Sequence, residues 1–167
     1  MLSVMIIAKN EADNIARCLE SVHFADEIIV LDSGSEDATV AIARKYTDKV
    51  FSTDWQGYGV QKQRALRHCT GDWVLNLDAD EWVDESLKKE IIDAMQNTSY
   101  DAWRIPIVMN FYGKALPHCS SPTRHARLFR REGASFSTDI VHEKAVLPDN
   151  ARIGQIKSAI MHRSYRD

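Results

Sequence analysis

Positions 2–8 form a nearly unbroken apolar run from Leu2 to Ala8, the pattern of a strand buried on both faces. Beyond a polar stretch, Ile15, Cys18, Leu19 and Val22 fall at i, i+3, i+4 and i+7, which predicts one face of a helix. Asn10 is the expected cap of that helix, with Glu11 and Asp13 near its N-terminus where the dipole favours acids. Glu27–Leu31 reads as a second strand, and Ser33 to Asp37 as a turn into a second helix carrying Val40, Ala43 and Tyr46. Lys49–Ser52 is a short third strand, Val60–His68 a third helix and Trp73–Leu77 a fourth strand. Asp84 can then cap a fourth helix whose Leu87, Ile91 and Met95 share one face. Such alternation implies right-handed crossovers and an α/β fold, a mostly parallel sheet flanked by helices. After Tyr100 the helical patterns stop. Ala102–Val108, Ala126–Phe129 and Lys144–Leu147 read as strands with no helix between them, so the C-terminal half is expected to be mixed or antiparallel. The boundary near residues 98–118 divides one domain, 1–167, into halves 1–100 and 101–167.

Composition narrows the class. A chain of 167 residues has the length of one domain and buries roughly two-thirds of its unfolded surface. With 44% hydrophobic and 27% charged residues it reads as an ordinary globular protein. A net charge of -3 gives no global attraction to nucleic acid, so none is expected as a partner, and any affinity for phosphate must be local. Cys18, Cys69 and Cys119 form no CxxC pair or disulfide framework, which suits a reducing compartment. Lys9, Asn10 and Glu11 stop the opening apolar run far short of the roughly 20 residues of a membrane span. The expected location is the cytoplasm.

The strongest chemical signal is Leu75-Asn76-Leu77-Asp78-Ala79-Asp80-Glu81. An apolar strand delivers two carboxylates two residues apart, and extended chain points both to one side. Ligands of open α/β sheets sit beyond the carboxyl ends of the strands, where two carboxylates suit a hard cation, Mg²⁺ or Mn²⁺. The plain alternative is a solvated acidic turn capping the next helix, but Asp84 already supplies that cap. A second signal, Asp32-Ser33-Gly34-Ser35-Glu36-Asp37-Ala38-Thr39, follows the second strand. It is either a capped turn or a site where Asp32 accepts hydrogen bonds from a nucleotide base or ribose. Asn10-Glu11 after the first strand shares that sheet edge, so three polar clusters end three strands.

Together these features resemble the GT-A-fold glycosyltransferases of family 2, and within them the bacterial lipopolysaccharide-core glucosyltransferases. The likeness runs through Ala8-Lys9-Asn10-Glu11, the Asp32–Thr39 segment and Asp78-Ala79-Asp80. Arg127-Leu128-Phe129-Arg130-Arg131, Val141-His142-Glu143-Lys144 and His162-Arg163-Ser164-Tyr165-Arg166 extend it over nearly the whole chain. The resemblance implies a UDP-sugar donor, a glycolipid or oligosaccharide acceptor of the lipopolysaccharide inner core, and inverting transfer of a hexose, with glucose expected. It also leaves room for peripheral contact with the cytoplasmic face of the inner membrane. Ala8, Asn10, Glu11, Asp32 and Ser33 would line the nucleoside pocket, Asp32 contacting the uracil. Asp78, Ala79 and Asp80 would form the ribose–metal region, and Lys62 and Arg64 would face the donor or else lie on a solvated helix face. Glu143 is the first candidate for the general base, Asp139 the second and Glu81 the next to test. His162 is a candidate third metal ligand, against the structural role more usual for a lone histidine. Arg124, His125, Arg127, Arg130 and Arg131 form the one dense basic stretch, a solvated strand face or a clamp for phosphate. His118-Cys119 lacks partners at zinc spacing. Family members of this kind usually continue well past Asp167, so the resemblance implies an acceptor half shortened at its C-terminus.

Other readings differ in what they need. Transfer to a polyprenyl phosphate shares the donor half, and a binding module without turnover would bind nucleotide but transfer nothing. No GxGxxG follows the first strand, which argues against a dinucleotide oxidoreductase. A haloacid-type phosphatase would want aspartate where Lys9-Asn10-Glu11 stands.

Overall fold

A computed structural model describes residues 1–111, 114–115, 126–138 and 143–163. The chain builds β1 (Leu2–Ala8), α1 (Ile15–Ser21), β2 (Glu27–Asp32), α2 (Thr39–Ala43), β3 (Val50–Ser52), α3 (Tyr58–His68) and β4 (Trp73–Asp78). It continues with β5 (Glu81–Trp82), α4 (Glu85–Gln96), β6 (Ala102–Arg104), β7 (Ile107–Phe111), β8 (Lys114–Ala115) and β9 (Ala126–Arg130). Last come β10 (Ser135–Phe136), β11 (Ala145–Val146), β12 (Ile153–Gln155) and β13 (Ile160–Arg163).

The main sheet has the order β12-β6-β9-β4-β1-β2-β3. β4, β1, β2 and β3 run parallel to one another, whereas β9 runs antiparallel to both β4 and β6. The expected α/β sheet with a mixed C-terminal half is present. Every residue of β1 is buried, and alternation explains why. Leu2, Val4, Ile6 and Ala8 pack on one face with Ile15 and Leu19 of α1 and Leu87 and Ile91 of α4. Met5 and Ile7 pack on the other with Ala65 and Leu66 of α3 and Phe129 of β9. A strand covered on both sides shows no polar phase.

Two local readings need correction, and a third holds. Asn10 does not cap α1. It adopts a positive φ of 54°, and the helix starts after Asn14, whose side chain makes no capping bond. Asp84 does cap α4, accepting from the Leu87 amide at 2.8 Å. The single strand expected over Ala102–Val108 is two, β6 in the main sheet and β7 in a second sheet ordered β5-β13-β7-β8. Pro106 has no N–H for a ladder, and the chain changes sheet there.

The amino-terminal edge of the sheet is fixed by one buried carboxylate. Glu27 accepts from Ser3 Oγ, Lys49 Nζ, and the amide and hydroxyl of Thr70. Burial alone would raise its pKa, but these bonds outweigh it and hold the group at about 2 against an ordinary 4.5. The folded value is the lower one, so the stabilisation is present above about pH 4.5 and is lost as pH falls toward 2. With the side chain 4% exposed, the contribution is at most on the order of 3 kcal/mol. Urea unfolding at pH 6 and pH 3 should show a smaller pH dependence in Glu27→Gln than in the parent chain. Equal dependence in both would refute the linkage.

Candidate functional site

The strand order reverses between β1 and β4, because β1 leads to β2 and β3 on one side while β4 returns to the other. Such a switch point opens a crevice beyond the carboxyl ends of the strands. Register sets Ile7 opposite Asp78 and Ala8 opposite Asp32, so the ends of β1, β2 and β4 are level. A cleft of about 800 Å³ lies there, lined by Ala8, Asn10, Glu11, Ser33, Asp78, Ala79, Asp80, Glu143 and His162 among others.

Asp78 ends β4, and a turn through Ala79 and Asp80 leads into β5. β13 pairs antiparallel with β5, placing His162 opposite Glu81 and bonding the Arg163 amide to the Asp80 carbonyl at 3.1 Å. That pairing brings His162 Nε2 to 3.0 Å from Asp80 Oδ2, while its Nδ1 lies 3.1 Å from Met109 Sδ. The hydrogen bond to Asp80, outweighing burial, holds the His162 pKa above its ordinary 6.5. Asp78 is half-exposed as a side chain, yet its Oδ1 is buried with no hydrogen-bond partner among the described residues. That oxygen faces Lys62 Nζ at 3.4 Å, and the same ammonium bonds Glu143 Oε1 at 2.9 Å. Burial would push the Asp78 carboxyl up, but Lys62 and Arg127 overcome it and hold the pKa low. Lys62, buried on α3, is thus the joint between the carboxylate of β4 and Glu143, residues 81 positions from it in sequence.

The Asp32–Thr39 segment works mainly as a clasp. Asp32 is 2% exposed, and its carboxylate accepts from the amides of Gly34 and Ser35 and from Ser35 Oγ. Ser35 Oγ in turn accepts from the Asn10 amide at 2.8 Å, and Asn10 Oδ1 accepts from the Glu36 amide at 2.8 Å. Thr39 Oγ1 takes the Glu11 amide at 2.8 Å while donating to Asp37. The loop after β2 therefore shapes the loop after β1. Ser33, not Asp32, reaches the cleft wall, where its hydroxyl accepts from Gln61 Nε2 at 2.8 Å.

Arg64 is likewise turned away from the described wall of the cleft. Its Nη1 donates to Thr53 Oγ1, the Asp54 carbonyl and Gln61 Oε1, tying α3 to the loop after β3. The basic stretch also divides. Arg130 lies over the Trp73 ring at 4.3 Å, and Arg131 donates to the Gly71 carbonyl at 2.9 Å. Both sit beside the start of β4, the end opposite the cleft, because β9 is antiparallel to β4. Arg127 instead is buried, and its Nη2 bonds both oxygens of Glu81 at 2.5 and 2.6 Å. Burial opposes the charge on Arg127, but Glu81 and Asp78 hold its proton more firmly than usual. Glu81 also accepts from the Asp78 amide at 2.8 Å, so this pair forms the floor beneath the carboxylate turn. Glu81, the third candidate base, thus already accepts hydrogen bonds from Arg127 on both oxygens. Asp139, His142, Arg124, His125, His118, Cys119 and Ser164–Arg166 lie outside the described residues.

A model of the family described as "Glycosyl transferase family 2" matches residues 3–146. An uncharacterized glycosyltransferase of Rickettsia conorii is 40% identical over 144 residues, covering 83% of this chain and 51% of that protein. The lipopolysaccharide core biosynthesis glycosyltransferase LpsC of Rhizobium meliloti is 35% identical over 170 residues, covering 93% and 62%. Glucosyl-3-phosphoglycerate synthase of Mycobacterium tuberculosis, solved with Mn²⁺, UDP and phosphoglyceric acid, superposes with a TM-score of 0.70 at 18% identity, covering 99% and 72%. This chain therefore spans about half to three-fifths of the length of those two curated relatives.

Proposed function

The chain belongs to glycosyltransferase family 2, and from that membership we propose that it carries out inverting transfer of a hexose, glucose by the resemblance of its sequence motifs, from a UDP-sugar to a lipopolysaccharide inner-core acceptor. The observation that carries this reading is the convergence of Asp78, Asp80 and Glu143 on one cleft, with Lys62 joining the first and last.

The residues fit a divalent cation. Two carboxylates share one turn, and the buried Oδ1 of Asp78, which faces Lys62 at 3.4 Å but accepts no hydrogen bond among the described residues, keeps a lone pair that a cation would satisfy. Among the described residues no three of His, Cys, Asp and Glu already surround a common point. The protein would thus supply Asp78 and Asp80, and the donor's diphosphate would complete the shell, the usual pattern for Mg²⁺ or Mn²⁺. His162 serves in this arrangement as the partner that orients the Asp80 carboxylate, as outer groups orient metal ligands. When bound, the cation supplies positive charge to the departing diphosphate.

The remaining chemistry belongs to the side chains. Inversion by one displacement forms the bond from the acceptor oxygen to the anomeric carbon as the bond to phosphate breaks on the opposite face. The hydroxyl proton then needs a base on the acceptor side, and the role falls to Glu143, a carboxylate in the cleft lining. Lys62 fixes one Glu143 oxygen and offsets its repulsion with Asp78. The clasped loops around Ala8, Asn10, Glu11 and Ser33 form the nucleoside wall.

The direct test is Asp80→Asn, which keeps volume and leaves the turn able to fold. UDP affinity in Mn²⁺ should drop by about 10- to 100-fold, the usual cost of disturbing a ligand shell, with thermal stability little changed. Unchanged affinity in Mn²⁺ would remove Asp80 from the site.

A further inference from the structure

The resemblance gives Asp32 the edge of the donor's base, and two exposed rings are at hand for its face. Trp55 and Tyr58 are 41% and 51% exposed, and both line the same cleft as Asp78 and Asp80. Among the described lining residues the only other ring is that of His162, which Asp80 engages. The two rings meet edge to face, with centroids 4.8 Å apart and planes at 89°. An edge-to-face contact covers at most one face of one ring, so aromatic surface remains open toward the cleft.

Their placement along the sheet selects the occupant. Asp78 ends β4, whereas Trp55 and Tyr58 follow β3, three strands away in the order β4-β1-β2-β3. The rings therefore belong to the β3–α3 junction on the β2–β3 side of the cleft, across the switch point from Asp78, where the base of a nucleoside diphosphate extends when its phosphates lie at the turn. A hexose on the terminal phosphate would instead point toward Glu143.

The loop bearing the rings is held before any ligand arrives. Arg64 bonds Thr53 and Asp54, the Thr53 amide bonds the Asp32 carbonyl at 2.9 Å, and Gln56 Nε2 bonds Asp54 at 2.7 Å. Gly57 then turns the chain at a φ of +95°, a conformation suited to glycine, and α3 starts at Tyr58. A ring fixed in advance loses little freedom on binding.

We propose that Trp55 and Tyr58 form an aromatic platform on which the uracil of the UDP-sugar stacks. The proposal rests on the donor reading above. It gives Arg64 an indirect part, as the brace of that platform.

Calorimetry with UDP and with inorganic pyrophosphate, both in Mn²⁺, tests it on the parent chain, Trp55→Ala, Tyr58→Ala and Trp55→Phe. Base stacking on an aromatic ring predicts that Trp55→Ala or Tyr58→Ala weakens UDP binding by about 5- to 150-fold. Pyrophosphate affinity should stay unchanged, and Trp55→Phe should retain most of the UDP affinity. If UDP binds the parent chain and both alanine variants equally well, the platform is refuted. Equal losses for UDP and pyrophosphate would refute it too, since the loop would then act on the phosphate site. A raised acceptor KM with unchanged UDP affinity would assign the rings to the acceptor and overturn the proposal. If the parent chain binds pyrophosphate but not UDP, the donor reading fails together with the platform.

Discussion

Glu143→Gln should lower turnover by about 10²- to 10⁴-fold, the range that general-base catalysis commonly supplies, while donor affinity changes little. The amide keeps the volume and can still accept from Lys62 Nζ, which now lies 2.9 Å from Glu143 Oε1, so the joint to Asp78 survives. What disappears is the group able to take the acceptor's proton. Loss confined to kcat, with the substrate concentration dependence preserved, identifies an interaction made in the transition state. The comparison is made between parent and variant chains under conditions in which the parent transfers sugar. Turnover within a factor of about three of the parent would dismiss Glu143 as base and leave Asp139→Asn as the next variant to assay.

The second large effect is on stability. Arg127 and Glu81 are 9% and 3% exposed and bond through both carboxylate oxygens. Arg127→Ala leaves the Glu81 carboxylate buried without its counter-charge, and removing one member of a buried pair typically costs about 3–5 kcal/mol. For a domain of 167 residues that is a large share of the total stability, so the urea midpoint should fall steeply. Pairing it with Glu81→Leu, which removes the stranded charge, should recover much of the loss, because apolar replacement of a buried ion pair is often nearly neutral. The carboxylate turn would still be disturbed in that double variant, since Glu81 also holds the Asp78 amide. Stability of Arg127→Ala within about 0.5 kcal/mol of the parent would show that the pair is not a structural floor.

The sequence was most legible where physics is local and repetitive. β1 announced itself because burial on both faces forces an apolar run, and the first four strand ends followed from alternation with helices. The carboxylate turn was legible for the same reason, a polar pair where such a strand ends. Strands of two or three residues carry little pattern, so β5, β8, β10 and β12 go unread, although β11 falls within the strand expected over Lys144–Leu147. β13 was missed as well, and with it the reason His162 meets Asp80. Pro106 was in plain view and does mark the break between β6 and β7. Arg127 was read with its basic neighbours, although its place inside a buried strand should have separated it from Arg130 and Arg131. A buried arginine demands a carboxylate, and Glu81 directly after Asp80 was the available one. The Asp32–Thr39 motif carried a different lesson. Ser, Asp and Thr around a glycine suit ligand binding and loop lacing equally well, and the bonds to Asn10 and Glu11 show the lacing.

The central claim is that this cleft takes a uridine-diphosphate sugar with a divalent cation on Asp78 and Asp80. Calorimetric titration of the chain with UDP-glucose, in Mn²⁺ and again after chelation with EDTA, tests it most directly. The account expects saturable binding in Mn²⁺, weakened at least about tenfold by EDTA, and the same dependence for UDP alone. Binding that is equally tight with and without the cation, or absent for every uridine nucleotide in Mn²⁺, would contradict it.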